Sequence, residues 1–311
     1  MQNKVPGAQW NAWLLAALLP ALFSIIGRNG WITVLLTAVV TGVLCFSVHT
    51  CKHETLPKWL CVLELGWLII FLGGLARIGS ACWMQVDAFP AISVILLILA
   101  ALAAHHGAMQ AARTGATLMW LVLPVLGIVF LAGTAEINPE WIRMELELPD
   151  GMLVSLLLIP CLGLYLPRGS SSASKWIAVV IAAVTIAASA LMDASMGSAV
   201  ASTAASSFYE FSKGVNLFGV AERFEALVAC ALTAGWFALY TLILSAVYHL
   251  TEKIFLPAPK WAVGIAAIAG AGLMCILPNT DSWMAMGALI FWVFLPAATQ
   301  GIGGIKKIEK K

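Results

Sequence analysis

The sequence predicts an all-α transmembrane protein of about ten helices. They form two five-helix halves of inverted orientation, residues 1–150 and 151–311 of a single integral-membrane domain, with helices 1 and 6 discontinuous. Three observations predict this. Of 311 residues, 61% are hydrophobic and only 10% charged, the composition of a polytopic helical membrane protein. Ten apolar runs are long enough, or nearly so, to cross a bilayer. The runs that open the two halves, 14–26 and 153–168, are short and carry Pro20 and Pro160 at matching places, and those that close them carry Pro124 and Pro296.

Taken in order, the runs are 10–26, 31–48, 59–78, 89–104, 114–132, 152–166, 176–192, 226–250, 261–277 and 283–302. Spans one and six are the shortest. Trp10, Trp31, Trp59, Trp83, Trp176, Trp261 and Trp283 stand at or near span starts, where an interfacial aromatic belt places them. With the N-terminus cytoplasmic, twelve of the seventeen basic residues fall on the cytoplasmic side, and eleven of the fifteen acids fall on the other. The basic bias predicts cytoplasmic N- and C-termini. Five spans per half is an odd number, so the second half enters from the opposite side. The two longest polar connections, 133–150 and 193–225, then face outward. The first is acidic, contains Asn138-Pro139, and is expected to form a cap or short helix over the outer mouth. The second opens with the small-residue run 195–207, suited to close packing or a re-entrant segment. The basic tail 306–311 fixes topology and meets anionic lipid.

A proline inside a helix removes one backbone hydrogen bond and crowds the preceding turn. Freed carbonyls in hydrocarbon need a partner from the protein or a ligand. Matched, Pro/Gly-interrupted short spans in two halves point to a midplane binding site. Ordinary kinking is the competing reading, since proline is common in membrane helices. The candidate site residues are therefore Leu19, Pro20 and Ala21 on helix 1 and Ile159, Pro160, Cys161 and Gly163 on helix 6.

Glu64 is the one acid well inside an apolar span. Two readings stand open for it: a cavity-facing group that holds a substrate amine or carries a proton, and a side chain that snorkels to the near surface. Trp67, three residues on, shares its face and either walls the same cavity or packs. Thr233, Trp236 and Tyr240 follow i, i+3, i+7 on span eight, a face that lines a pocket or packs on a neighbour. Arg77 and Asp87 flank a break after span three, as a gate pair or as loop charges. The seven scattered cysteines form no CxxC or Cys/His cluster, so neither a metal, a cofactor nor a disulfide framework is expected. No nucleophile elbow, phosphate loop or paired carboxylates appear, and no enzyme activity or nucleic-acid partner is expected.

Three stretches carry a family resemblance: Gly219 with Glu222-Arg-Phe-Glu-Ala-Leu227 before span eight, Gly27-Arg-Asn-Gly-Trp-Ile-Thr-Val-Leu-Leu36 opening span two, and Ala111-Ala-Arg-Thr-Gly115 entering span five. They resemble the spore-germination permeases, the membrane B subunits of nutrient germinant receptors, which are similar to the amino acid–polyamine–organocation transporters. The resemblance implies a five-plus-five inverted fold and a small nutrient, such as an amino acid, held between helices 1, 3, 6 and 8. It also implies receptor A and lipoprotein C subunits as partners, in the inner membrane of a Gram-positive spore. Where such permeases have a Gly-rich break in helix 1, this chain has Leu18-Leu-Pro-Ala-Leu22, so its outer half-helix is expected to be short. The alternatives are an ion- or proton-coupled amino-acid transporter with Glu64 as carrier, and a structural membrane subunit with a degenerate pocket.

Overall fold

In hydrocarbon every backbone N–H and C=O must be satisfied within the protein, and long apolar runs do this as helices. The computed structural model describes residues 5–50, 57–81, 89–134, 137–138, 141, 146–164, 173–204, 206–214, 221–255, 261–277 and 282–299. Its described residues form a multi-span helical bundle. In chain order the helices are α1 (Gly7–Ile25), α2 (Trp31–Thr50), α3 (Lys58–Ala81), α4 (Phe89–His105), α5 (Ala108–Gly133), α6 (Gly151–Leu158), α7 (Ala173–Met196), α8 (Ser198–Thr203), α9 (Ser207–Gly214), α10 (Ala221–Ile254), α11 (Ala262–Ile276) and α12 (Ser282–Leu289). Among the described residues seven helices are long and apolar enough to cross a membrane, and the apolar helices Ala91–His105, Gly151–Gly163 and Ala262–Ile276 are shorter. Together they occupy the ten expected runs. Asp87, Gly219 and the tail 306–311 lie outside the described residues, as do the side chains of Glu222 and Arg223.

α1 and α10 form the centre. Nearly all of α1 is buried from Leu14 to Ile26, because α5, α7 and α10 pack around it. α3 packs on α11 and α10, and α4 on α10; α2 packs on α7 and α6, and α12 on α6. Many exposed residues of the outer helices, among them Val43, Trp120, Leu131, Trp176 and Ile268, are large and apolar, as lipid contact favours. Several buried hydroxyls bond back along their own helices. Thr37 donates to Thr33 O and Thr41 to Thr37 O, both at 2.7 Å, and Thr185 donates to Ile181 O at 2.7 Å.

Two helix pairs run antiparallel. Trp31 at the start of α2 meets Asp193 at the end of α7. The Tyr240 hydroxyl of α10 lies 3.5 Å from Leu75 O near the end of α3, whereas Cys61 near the start of α3 is in electrostatic reach of Lys253 near the end of α10.

Described residues of the 133–150 connection contact the start of α2 and the end of α7. Thr33 Oγ1 donates to Glu147 O (3.3 Å) and accepts from Glu147 N–H (3.0 Å). Asn29 Oδ1 accepts from Asp150 N–H (2.8 Å), and Asn138 N–H donates to Ala194 O (2.9 Å). Within the 195–207 run, Ser198–Thr203 form the short helix α8, entered through Gly197 at φ +78°, a left-handed geometry that favours glycine.

Asp193 does across helices what a capping residue does within one. Its Oδ2 accepts the N–H of Trp31, the first residue of α2, at 3.0 Å, and the side chain is 1% exposed. Four N–H groups at a helix start lack intrahelical partners, and a carboxylate there suits the helix dipole. Asp193→Ala is expected to cost about 1–2 kcal/mol. A lower apparent melting temperature in detergent, with Asp193→Asn nearer the parent, is the measurable result.

One expectation is corrected. Helix 1 is not discontinuous: α1 continues through Pro20 to Ile25 and tightens into a 3₁₀ turn only at Ile26–Arg28. Helix 6 does change at its proline. After Leu158 the chain narrows into the 3₁₀ segment Ile159–Leu164.

Candidate functional site

The irregular backbone of the bundle gathers around helix 6. Asp150 opens α6, accepting from Met152 N–H at 3.4 Å. At the other end Ile159 N–H bonds to Leu156 O, a three-residue 3₁₀ step. The next 3₁₀ donor to Leu157 O would be residue 160, and proline has no N–H. The Cys45 thiol of α2 faces Leu157 O at 3.6 Å. Cys161, beside the proline, donates its S–H to Cys45 Sγ at 3.2 Å. Ile159, Pro160, Cys161 and Gly163 are all buried.

A second irregularity lies against the first. α12 passes into the π-helical segment Ile290–Phe294, which packs on the 3₁₀ segment and on α2. π-bulges and 3₁₀ stretches within longer helices recur at functional sites. Trp67 of α3 connects to this region through aromatic rings. It stacks on Phe291 (centroids 5.3 Å, planes 5° apart) and meets Trp283 at 6.0 Å and Trp292 at 6.4 Å edge-on. Gly287 leaves room for the Trp67 ring, which a β-carbon there would strike. The indole N–H groups of Trp67, Trp283 and Trp292 are buried without a hydrogen-bond acceptor among the described residues. Glu64, one turn earlier on α3, is fully buried on the same stripe as Leu68 and Phe71. Burial at 0% removes the snorkelling reading for Glu64. A buried carboxylate and three acceptor-seeking indoles on neighbouring elements suit a molecule bearing both an ammonium and a carboxylate.

The remaining candidates form a separate, tightly packed cluster. Leu19, Pro20 and Ala21 are buried in α1. The Pro20 ring lies against Gly235 of α10, and Ala16 O, the acceptor that proline deprives of its donor, is 3.2 Å from where a Gly235 β-carbon would stand. Trp236 and Tyr240 are fully buried, their rings 5.9 Å apart, and both touch Gly79 of α3. Thr233 is half-buried and donates to Ala229 O at 2.7 Å. The two prolines thus have different surroundings. Glycine brings α10 onto the open carbonyl at Pro20, and a thiol from α2 faces the one at Pro160.

Arg77 does not stand as a loop charge. Its Nη1 donates to Met274 O of α11 at 3.1 Å, serving one of the carbonyls near that helix end. An apolar groove of about 350 Å³ opens towards lipid between α2 and α7, lined by Ala38, Gly42, Phe46, Val179, Ala182 and Ile186 among others.

Cys45 and the π segment were not singled out by sequence, and Gly235 was noted only beside Thr233, Trp236 and Tyr240 on span eight, yet part of the signal was present as a duplication. Helices 1 and 6 share Leu-x-Pro-x-Leu (18–22, 158–162). Helices 2 and 7 share Trp-Ile-x-Val-x-x-x-Ala-Val (31–39, 176–184). Spans three and eight share Cys-x-Leu-x-x-Gly-Trp-x-x-x-Phe/Tyr (61–71, 230–240), and spans five and ten share Gly-Ala-x-x-x-Trp-x-x-Leu-Pro (115–124, 287–296). Gly235 is thereby the counterpart of Gly66, and Trp236 of Trp67. No family model matches the chain, and no curated protein matches it.

Proposed function

We propose that the chain is a two-repeat membrane permease or receptor subunit that binds a small zwitterionic nutrient, an amino acid, beside the helix-6 break. The observation that carries this is the meeting of the 3₁₀ segment at Pro160, the π segment that follows α12 and the indoles of Trp67, Trp283 and Trp292, with Glu64 buried one turn from Trp67 on α3. In this reading Glu64 faces the ammonium, and indole N–H groups and helix-6 backbone face the carboxylate.

The duplicated motifs support two halves in the order 1–5 and 6–10. The helix packing supports it too. Exchanging each helix for its counterpart turns α1 on α5 into α6 on α12, α3 on α11 into α10 on α4, and α1 on α7 into α6 on α2, all of which pack. The α2–α7 and α3–α10 counterparts run antiparallel, as inversion demands. The resemblance to germinant-receptor B subunits makes A and C subunits the first partners to test and a spore inner membrane the first location. If flux accompanies binding, the protein is a coupled transporter with Glu64 as carrier.

A thermal-shift screen of the detergent-purified chain against amino acids, nucleosides and sugars tests the reading. A ligand at about 100 times its Kd adds about 2.7 kcal/mol to the folded state. A saturable rise in melting temperature from amino acids, absent in Glu64→Gln, is expected. No shift from any amino acid for well-folded protein would reassign the chain as a structural subunit.

A further inference from the structure

A line of ionisable side chains runs from the surface of the bundle towards Glu64. It starts on the last turns of α10, where the side chain of Glu252 is 47% exposed and that of His249 15%, with His249 Nδ1 and Glu252 Oε2 3.3 Å apart. Lys253, half-buried, follows His249 at i+4 and shares its face. Its ammonium is in electrostatic reach of His249 and Glu252 and, across to α3, of Cys61. Cys61 is 1% exposed, and Glu64, which is in its electrostatic reach, stands one turn further on at 0%. Exposure falls step by step along the line, from a wet carboxylate to a buried one.

Its surroundings are apolar. Leu60, Leu68, Val247 and Leu250 are buried, and the Thr251 hydroxyl is turned to Val247 O of its own helix. Among the described residues of the other helices on α3, α4 brings His105 at its end, α11 brings the exposed Cys275, and α12 brings no ionisable group. α10 adds Tyr248 beside the line, and Glu225, Cys230 and Tyr240 towards its other end. On α3 itself Lys58 stands in the first turn, and Arg77 is held at Met274 O. Ionisable groups are expensive inside an apolar bundle, and a connected series of them marks a proton relay.

We propose that His249, Glu252, Lys253 and Cys61 form a proton port, which connects Glu64 with water at the end of the bundle where α3 begins and α10 ends. Cys61 gives its S–H proton to the Glu64 carboxylate. The thiolate takes one from the Lys253 ammonium, and the amine is reprotonated by the His249–Glu252 pair, which takes one from water. Each relay group ends as it began, and one proton has moved from water to Glu64. Discharge is the reverse. The basic-residue bias predicts this end to be cytoplasmic. The port concerns the Glu64 proton alone and does not rest on the nutrient reading.

The test uses the full chain in lipid nanodiscs without added ligand, stepped in pH and followed by time-resolved infrared difference spectroscopy. The carboxyl C=O band that Glu64→Gln removes reports the Glu64 proton; Glu64→Asp, which shifts the band, serves if the glutamine variant does not fold. In the parent the band should follow the step. Lys253→Met and Cys61→Ala should each slow it about 100-fold, the low end of what a positioned proton donor supplies. Cys61→Ser keeps an exchangeable proton and should restore much of the rate. Glu252→Gln should slow the band as well, at an exposed position where folding is not at stake. A Glu64 band that never titrates in the parent would overturn the proposal, as would the parent rate in both Glu252→Gln and Lys253→Met. Equal slowing by Cys61→Ser and Cys61→Ala would overturn the part assigned to the thiol.

Discussion

Gly235→Leu is expected to yield no monodisperse folded protein after detergent extraction, and Gly235→Ala to lose about 1–3 kcal/mol of stability. A β-carbon at Gly235 collides with Cβ and Cγ of Pro20 and approaches Ala16 O. None of these can retreat. Pro20 is locked by its ring, Ala16 O is backbone, and α1 is enclosed by α5, α7 and α10. The crossing joins the first and last thirds of the chain and is reinforced where Trp13 Nε1 donates to Ala238 O at 3.1 Å. Gel-filtration profiles of fluorescently tagged protein, recorded after heating, read the effect directly.

Two comparisons separate this mechanism from a general intolerance of change. Gly42, Gly66 and Gly127 have open space where a β-carbon would go, so alanine there should leave stability equal or raise it by about 0.5–1 kcal/mol through helix preference. Moving the small residue across the interface, as Pro20→Gly with Gly235→Ala, should recover part of what Gly235→Ala loses. A double variant no better than the sum of its parts would show that the crossing does not depend on this contact.

The helices were legible because hydrocarbon leaves the backbone no alternative, and composition alone marks the runs. What each proline does was not legible. Pro20 and Pro160 sit in the same Leu-x-Pro-x-Leu frame, yet α1 stays α-helical and helix 6 turns 3₁₀. The difference lies in what faces each break, Gly235 in one case and Cys45 in the other, and neither neighbour is close in sequence. The candidate site divides for the same reason. Trp236 and Trp67 are counterparts in matching motifs, but Trp236 is sealed against Gly79 while Trp67 reaches Gly287 beside the π segment. The duplication itself is readable residue by residue. Its register shifts between the early and late helix pairs because α8 and α9 are inserted after α7, which hides it from any single offset.

Glu64→Gln is expected to weaken amino-acid binding about 30-fold or more. The size follows from what a buried carboxylate contributes against a bound ammonium, about 2–5 kcal/mol when one member of such a pair is removed. Titrations followed by thermal shift, read beside the ligand-free melting temperature, separate a binding role from a structural one. A large loss of ligand-free stability with the ligand shift intact would make Glu64 a structural group and move the ammonium elsewhere. Trp67→Phe supplies the complementary measurement. It keeps the ring stacked on Phe291 but removes the indole N–H. Affinity for an amino acid should then fall while affinity for the corresponding amine without its carboxylate stays level. A uniform fall for both would assign Trp67 to packing alone.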